Sequence, residues 1–406
     1  MPKRKSSIQP TTSIDEPHEP DLDRAFDLVM RLMAIPGKTG QEQEVADFII
    51  KHLHDAGAPA AAIKTDNAHR RTPVPGQLGN LALRLPGTTR APRRLLSAHL
   101  DTVPICVGSQ PVRKGNVVAS ANPHSGLGAD NRAGCAVLLN AAIEILTRQL
   151  PHPPLTLCWF VQEETGLNGS RHLTKSLLAN PRLAFNFDGG SPTKLTIGAT
   201  GGYRLLIEIE GVASHAGGAP EAGVSAIAIA SLAVADLHRN GWHGDIHHDG
   251  KHGTSNVGYI FGGEATNVVT DRVKLKAEAR SHDSKFRRRI VREFEAAFRR
   301  AAKEVRNVDG VCGKVTIEGR LDYESFLLKP TEPCVQIADR AIRSIGQQPQ
   351  HAITNGGVDA NWLTAHGLPA VTLGCGQKNQ HMVSELLNVA EFEAACRIGL
   401  RLATAS

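Results

Sequence analysis

A chain of 406 residues with 41% hydrophobic and 21% charged side chains has the makeup of a folded globular protein and is too long for one ordinary core, so two domains are expected. No apolar run approaches the roughly 20 residues that cross a bilayer, which excludes a membrane-spanning protein. The net charge of +6 is dispersed and aromatics make up only 4%, leaving no basic-aromatic surface for bases to stack on and excluding nucleic acid as a partner.

Residues 1–21 are polar, with Lys3, Arg4 and Lys5 followed by no apolar stretch, and read as a flexible tail rather than a secretory leader. Seven cysteines, none in a Cys-x-x-Cys pair, argue against a disulfide framework and against a thiolate zinc site, so a reducing cytoplasm is the expected compartment. Helical periodicity over 22–34 opens the first folded part, and Thr39 followed by Glu42 has the form of a capping box for a second helix through Val45, Phe48, Ile49 and Leu53. Apolar strands over 80–85, 94–99, 155–161 and 183–187 then alternate with a long helix over 132–150, the texture of an α/β domain with helices flanking a central sheet.

From Gly201 the pattern becomes strand, helix, two strands, helix, strand over 203–318, the order of a ferredoxin-like split βαβ unit. Arg287, Arg288, Arg289, Arg299 and Arg300 fall on its second helix among Ile290, Val291, Phe294 and Phe298, an amphipathic pattern with a solvated basic face. The stretch with His243, His247, His248 and His252 has the His content of a metal-binding tract, but its Gly and Asp neighbours read as a solvated hairpin loop. α/β texture returns with helices over 335–345, 357–365 and 387–402 and a strand over 370–373. The expected division is a tail (1–21), a first part of the catalytic domain (22–200), an inserted α+β domain (201–320) and a second part of the catalytic domain (321–406).

The polar residues that carry chemistry sit where strands end, the rim at which open α/β sheets bind ligands. Ser97-Ala-His99-Leu-Asp101 puts an imidazole at a strand end with a carboxylate two residues on, able to orient it; a surface His–Asp pair has the same sequence. Gly126-Leu-Gly-Ala-Asp130-Asn-Arg-Ala-Gly134 lacks the spacing of a phosphate loop and packs small residues around Asp130, which is either a carboxylate shared by two cations or a helix N-cap. Gln162-Glu163-Glu164 ends an apolar strand with adjacent carboxylates that point oppositely, so that one can bind metal while the other moves a proton. Asp188 ends the next strand, and His381, followed by Glu385, supplies a late imidazole. Two imidazoles with hard oxygen ligands and no thiolate suit a catalytic zinc pair sharing one carboxylate.

Together these motifs resemble the co-catalytic zinc peptidase family of peptidase T, carboxypeptidase G and the aminoacylases, nearest its peptidase T branch, over 22–402 and in the same order. The resemblance implies two Zn2+ ions, replaceable by Co2+ or Mn2+: Asp130 bridging, His99 and Asp188 completing one site, Glu164 and His381 the other. It makes Glu163 the general base and Asp101 the support of His99. In the inserted lid, Ala213-Ser-His215-Ala-Gly217 resembles the motif whose histidine steadies the oxyanion across a dimer interface; Asn267 resembles a substrate contact, and Arg280 the arginine that grips a substrate carboxylate. Asn355-Gly-Gly357 resembles a Gly-rich turn at the substrate. A homodimer through the lid, acting on short peptides as a tripeptide aminopeptidase, is the implied function. The alternatives are an aminoacylase or carboxypeptidase of the same family and an inactive peptide-binding protein. Residues 105–125 match no pattern, and the Lys-Asn-Gln-His neighbourhood of His381 departs from the peptidase T form.

Overall fold

A computed structural model describes residues 18–404. The expected tail therefore falls mostly outside the described residues, and its last part is tied down: the Glu19 carboxylate pairs with Arg397 and Arg401, and Asp21 caps helix Leu22–Ala34 by accepting from the Arg24 amide. That helix buries Ala25, Leu28, Val29, Leu32 and Met33, an i, i+3, i+4, i+7 stripe against helix Ala129–Arg148. Helix Gln43–Asp55 starts later than a Thr39 cap allows. Thr39 instead donates its hydroxyl to Asp101 (2.6 Å), and Glu42 accepts from the amides of Gly40 (2.9 Å) and Gln162 (3.1 Å). The Thr-x-x-Glu pattern marks long-range polar contacts rather than a capping box.

The central sheet runs in the order 63–65, 81–85, 155–160, 94–99, 183–187, 370–373, 194–199, 326–327, with 350–354 also paired to 194–199. The strands 155–160, 94–99, 183–187 and 370–373 are mutually parallel, and their outer neighbours 81–85 and 194–199 run antiparallel. Four parallel strands aim their carboxyl ends one way, so His99, Glu163 and Asp188 reach a common rim. Burial on both faces accounts for the near-continuous apolar runs of strands Arg94–His99 and Leu155–Phe160.

A second sheet, entirely antiparallel in the order 244–248, 251–262, 272–281, 201–210, 314–323, packs helices Ala226–Arg239 and Ser284–Glu304 over a separate core around Ile207, Leu275, Ile290, Phe294 and Phe298. Arg287 departs from the expected solvated face: it is buried and its guanidinium donates to Glu324 at 2.8 Å. The unassigned residues 105–125 form hairpin Pro111–Lys114/Val117–Ser120, whose second strand pairs with Leu386–Asn388 just beyond His381.

The chain passes between the two sheets at Thr200 and again at Glu324, and one side chain holds both crossings. Buried Asn361 donates to the carbonyls of Thr200 (3.0 Å) and Glu324 (2.6 Å) and accepts from the Val358 amide (2.9 Å). Replacing it strands buried carbonyls, at a cost of about 1–3 kcal/mol. Asn361→Ala is expected to lower the urea midpoint accordingly, and an unchanged midpoint would show that water replaces the amide.

Candidate metal centre

Asp130 sits at the kinked start of helix Ala129–Arg148 with non-helical backbone angles and caps nothing, which removes the N-cap alternative. Its two oxygens face different imidazoles: Oδ1 lies 3.3 Å from His99 Nε2 and Oδ2 lies 3.4 Å from His381 Nε2. Asp188 Oδ2 is 3.9 Å from His99 Nε2, and Glu164 Oε2 is 2.9 Å from His381 Nε2. Two triads result, His99/Asp130/Asp188 and Asp130/Glu164/His381, each with ligand atoms within 4.8 Å of one another. Buried Asp130 Oδ1 and Glu164 Oε1 accept no hydrogen bond among the described residues. Orphaned buried acceptors facing imidazoles are what a pair of divalent cations would satisfy, so these residues fit the group their types imply.

Glu163 Oε2 also approaches His99 Nε2, at 3.9 Å, and a third cluster, His99/Glu163/Glu164, has ligand atoms within 4.8 Å of one another. The strand ends at Phe160 and Gln162 is left-handed (φ 55°), so strand alternation does not separate the two glutamates as the sequence predicts. Asp101 does more than orient His99. Its carboxylate stands 3.4 Å from His99 Nδ1, behind its own carbonyl at 3.1 Å, and accepts from the amides of Glu163 (2.9 Å) and Glu164 (3.2 Å) as well as from Thr39.

Glu385 was visible in the sequence only as an acid four residues after His381. It is buried and accepts from the amides of Gly128 (2.7 Å) and Asp130 (2.9 Å), fastening the His381 loop to the backbone of Asp130. Asn131 is equally hidden in sequence: it donates to the Phe187 carbonyl (2.7 Å) and accepts from Gln377 (2.9 Å), joining the Asp130 turn to the strand that ends in Asp188.

The expected lid residues gather elsewhere. His215 is exposed on a short strand paired with Val268–Val269, its Nδ1 accepting from the amides of Gly217 (3.1 Å) and Gly218 (2.9 Å), which leaves Nε2 carrying the proton. Asn267 joins it through a carbonyl that accepts from Ala216 at 2.9 Å. Arg280 and Asn355 meet each other, with Arg280 forked on Glu278 (3.1 and 3.0 Å) and the Asn355 side chain against His282 Nε2 (2.9 Å). Neither group touches the two triads. A cavity of about 320 Å³ opens from Asp130, Asp188 and His381 past Lys194, Thr196 and Thr354; a larger one of about 790 Å³ lies on the second sheet around Arg204, Tyr259 and Arg320 and holds neither triad.

Crowded carboxylates titrate abnormally. Burial, reinforced by neighbouring acids, pushes Glu163 and Asp188 well above the usual carboxylate range, and burial with the charge of Asp130 lifts Glu164 to about 7. Hydrogen bonds to Asp130 and Glu164 raise His381 to about 10. Cations entering the centre must displace these protons, so metal affinity is expected to fall as pH drops through about 10 and further through about 7, with proton release on binding. Calorimetry in two buffers of different ionisation enthalpy checks this, and equal heats in both would contradict it. Glu385→Ala, which unfastens Asp130, is expected to weaken metal binding by about 10–100-fold, measured by competition with a chelating dye.

Comparison with known proteins identifies the family. Residues 95–405 match the model of peptidase family M20/M25/M40. The chain is 29% identical over 370 residues to protein YqjE of Bacillus subtilis, covering 91% of this chain and 94% of that one. It is 24% identical to peptidase T of Pasteurella multocida, covering 70% and 66% respectively. Among solved structures, a tripeptidase from Staphylococcus aureus superimposes with a TM-score of 0.85 at 28% identity, over 95% of this chain and 99% of that one. The aminopeptidase PepT of Bacillus cereus gives 0.80 at 29%, over 95% and 100%. With the family model spanning most of the chain and the paired triads at its sheet rim, the protein belongs to peptidase family M20/M25/M40 and is a hydrolase of peptide bonds.

Proposed function

We propose that this peptidase is a dinuclear zinc aminopeptidase that removes the first residue from tripeptides and similarly short peptides. The observation that carries the reading is Asp130, whose two oxygens each face a different imidazole, the arrangement expected of a carboxylate shared by two ions. His99 and Asp188 would hold one ion with it, Glu164 and His381 the other. Bound there, such a pair supplies Lewis acidity to the scissile carbonyl and lowers the pKa of water. Relatives that support the substrate class are the Staphylococcus aureus tripeptidase and the Bacillus cereus PepT.

Glu163 acts as general base and then acid: it takes a proton from the attacking water and delivers it to the leaving amine. Its raised affinity for protons suits a group that must hold one between the two steps. Asp101 is a positioning residue for His99 and for the backbone of both glutamates. His215, with Nε2–H free, would donate to the oxyanion, and Asn267, Asn355 and Arg280 would contact substrate, Arg280 limiting peptide length by gripping the terminal carboxylate. Residues 201–320 would serve as a lid and as the interface of a homodimer, through which His215 reaches the partner's centre. Seven unpaired cysteines, six of them buried, suit a reducing cytoplasm.

The reading is tested with unblocked and N-blocked di-, tri- and tetrapeptides, with and without chelator. Cleavage of unblocked tripeptides that chelator abolishes is expected; preferential cleavage of N-acyl substrates would replace it with the aminoacylase or carboxypeptidase alternative, and absence of turnover on any peptide with metal bound would point to the binding-protein alternative. Glu163→Gln should keep its metal content while kcat falls by about 10²–10⁴-fold, and near-wild-type turnover would remove Glu163 from the base role.

A further inference from the structure

The hairpin Gly244–His248/Lys251–Gly262 of the second sheet carries a cluster that peptide hydrolysis does not use. His247 and His252 are direct cross-strand partners, and Asp245, two residues before His247, projects from the same face. Both imidazoles converge on that one carboxylate: His247 Nε2 lies 3.0 Å from Asp245 Oδ2 and His252 Nε2 lies 2.7 Å from Oδ1, with ring centroids 4.7 Å apart. The other histidines of the stretch are engaged elsewhere. His248 stacks on Trp242 at 4.0 Å with Nε2 against the Gly241 carbonyl, and His243 Nε2 accepts from the Val257 amide. The convergence therefore belongs to three side chains, not to a His-rich composition.

We propose that Asp245, His247 and His252 form a surface binding site for one divalent transition-metal ion, zinc or copper, independent of the centre at Asp130. Two imidazole nitrogens and one carboxylate oxygen make a donor set that suits Cu2+ and Zn2+ and suits Mg2+ or Ca2+ poorly. The turn between the strands is built for a tight hairpin, with Asp249 at φ 52° and Gly250 at φ 69°. Its ends are pinned by Arg289 on Asp249 and Lys251 on Asp283, so the backbone register that sets the pair is fixed. Each imidazole nitrogen stands slightly closer to its carboxylate oxygen (3.0 and 2.7 Å) than the ~3.3 Å edge of a tetrahedral ion with bonds of about 2.0–2.1 Å, all three donor atoms lie within 4.8 Å of one another, and exposed side chains reach that spacing by small rotations. All three are exposed, leaving the remaining coordination positions to water.

The site is tested on full-length protein whose catalytic ions are already in place. Wild type, His248→Gln and the combined Asp245→Asn/His247→Gln/His252→Gln variant are dialysed against micromolar Zn2+ and their metal content measured, with circular dichroism to check that these surface replacements leave the fold intact. The expected result is one more ion per chain in wild type and His248→Gln than in the triple variant, with peptidase activity before Zn2+ addition equal in all three. Cu2+ loading is expected to give an electron-spin-resonance signal with two-nitrogen coupling that the triple variant lacks. Equal metal content in all three proteins, or a Cu2+ signal unchanged in the triple variant, overturns the proposal.

Discussion

The constraint on which the rest of the molecule depends is the confinement of like charge. Asp130, Glu163, Glu164 and Asp188 are gathered around two imidazoles, and burial together with like charge raises the cost of ionising Glu163, Glu164 and Asp188. Two features meet that cost within the chain: the two imidazoles, which hold Asp130 below the usual carboxylate range despite its burial, and the raised proton affinity of the other three acids. Neither satisfies Asp130 Oδ1 or Glu164 Oε1. A centre built this way leaves buried acceptors unpaired among the described residues, and cations bound there would offset the crowding of its like charges.

Such a centre must be held in register, and the holding is done by further carboxylates whose charge is offset in part by the backbone amides they accept from. Asp101 receives the amides of Glu163 and Glu164, Glu385 those of Gly128 and Asp130, and Glu42 that of Gln162. Each binds its own loop to a part of the chain distant in sequence. The hairpin formed from residues 105–125 adds a further brace, because it pairs with the strand following His381. The rigid sheet supplies direction, and these acids supply register.

The sequence made the first of these legible and concealed the second. Strands ending in His99, Glu163 and Asp188 announce themselves because an apolar run stops abruptly at a polar residue, a local signal that needs no knowledge of the fold. Strand geometry alone gives the adjacent glutamates opposite directions, but they lie past the strand end at Phe160 and both carboxylates gather near His99. Glu385, Asn131 and Asn361 have no such signature, since their partners lie 255, 56 and 161 residues away. Thr39 and Glu42 illustrate how a local pattern misleads: their spacing is that of a capping box, yet tertiary contacts use both side chains elsewhere. Arg287 is a similar case, placed by periodicity among solvated arginines but buried because Glu324 at the second crossing offers it a carboxylate. The His-rich stretch was read from composition as a loop, whereas the cross-strand register of its histidines can be seen only in three dimensions.

The state of Arg280 bears on how substrate selection can operate in such a protein. Its guanidinium fork is already filled by Glu278, and Arg204 shares that same acid. A peptide carboxylate reaching Arg280 would therefore exchange one carboxylate for another rather than fill a vacant site, and an exchange gains little from charge alone. What it can gain is discrimination: only an anion presented at the right distance and angle, by a peptide whose scissile bond lies at the metal residues, competes with a tethered neighbour. Length selection by this route comes from geometry more than from affinity. It would also make binding at Arg280 sensitive to movement at the two chain crossings that Asn361 joins, because the turn with Asn355 and Gly357 leads directly into helix Ala360–Ala365, which carries Asn361.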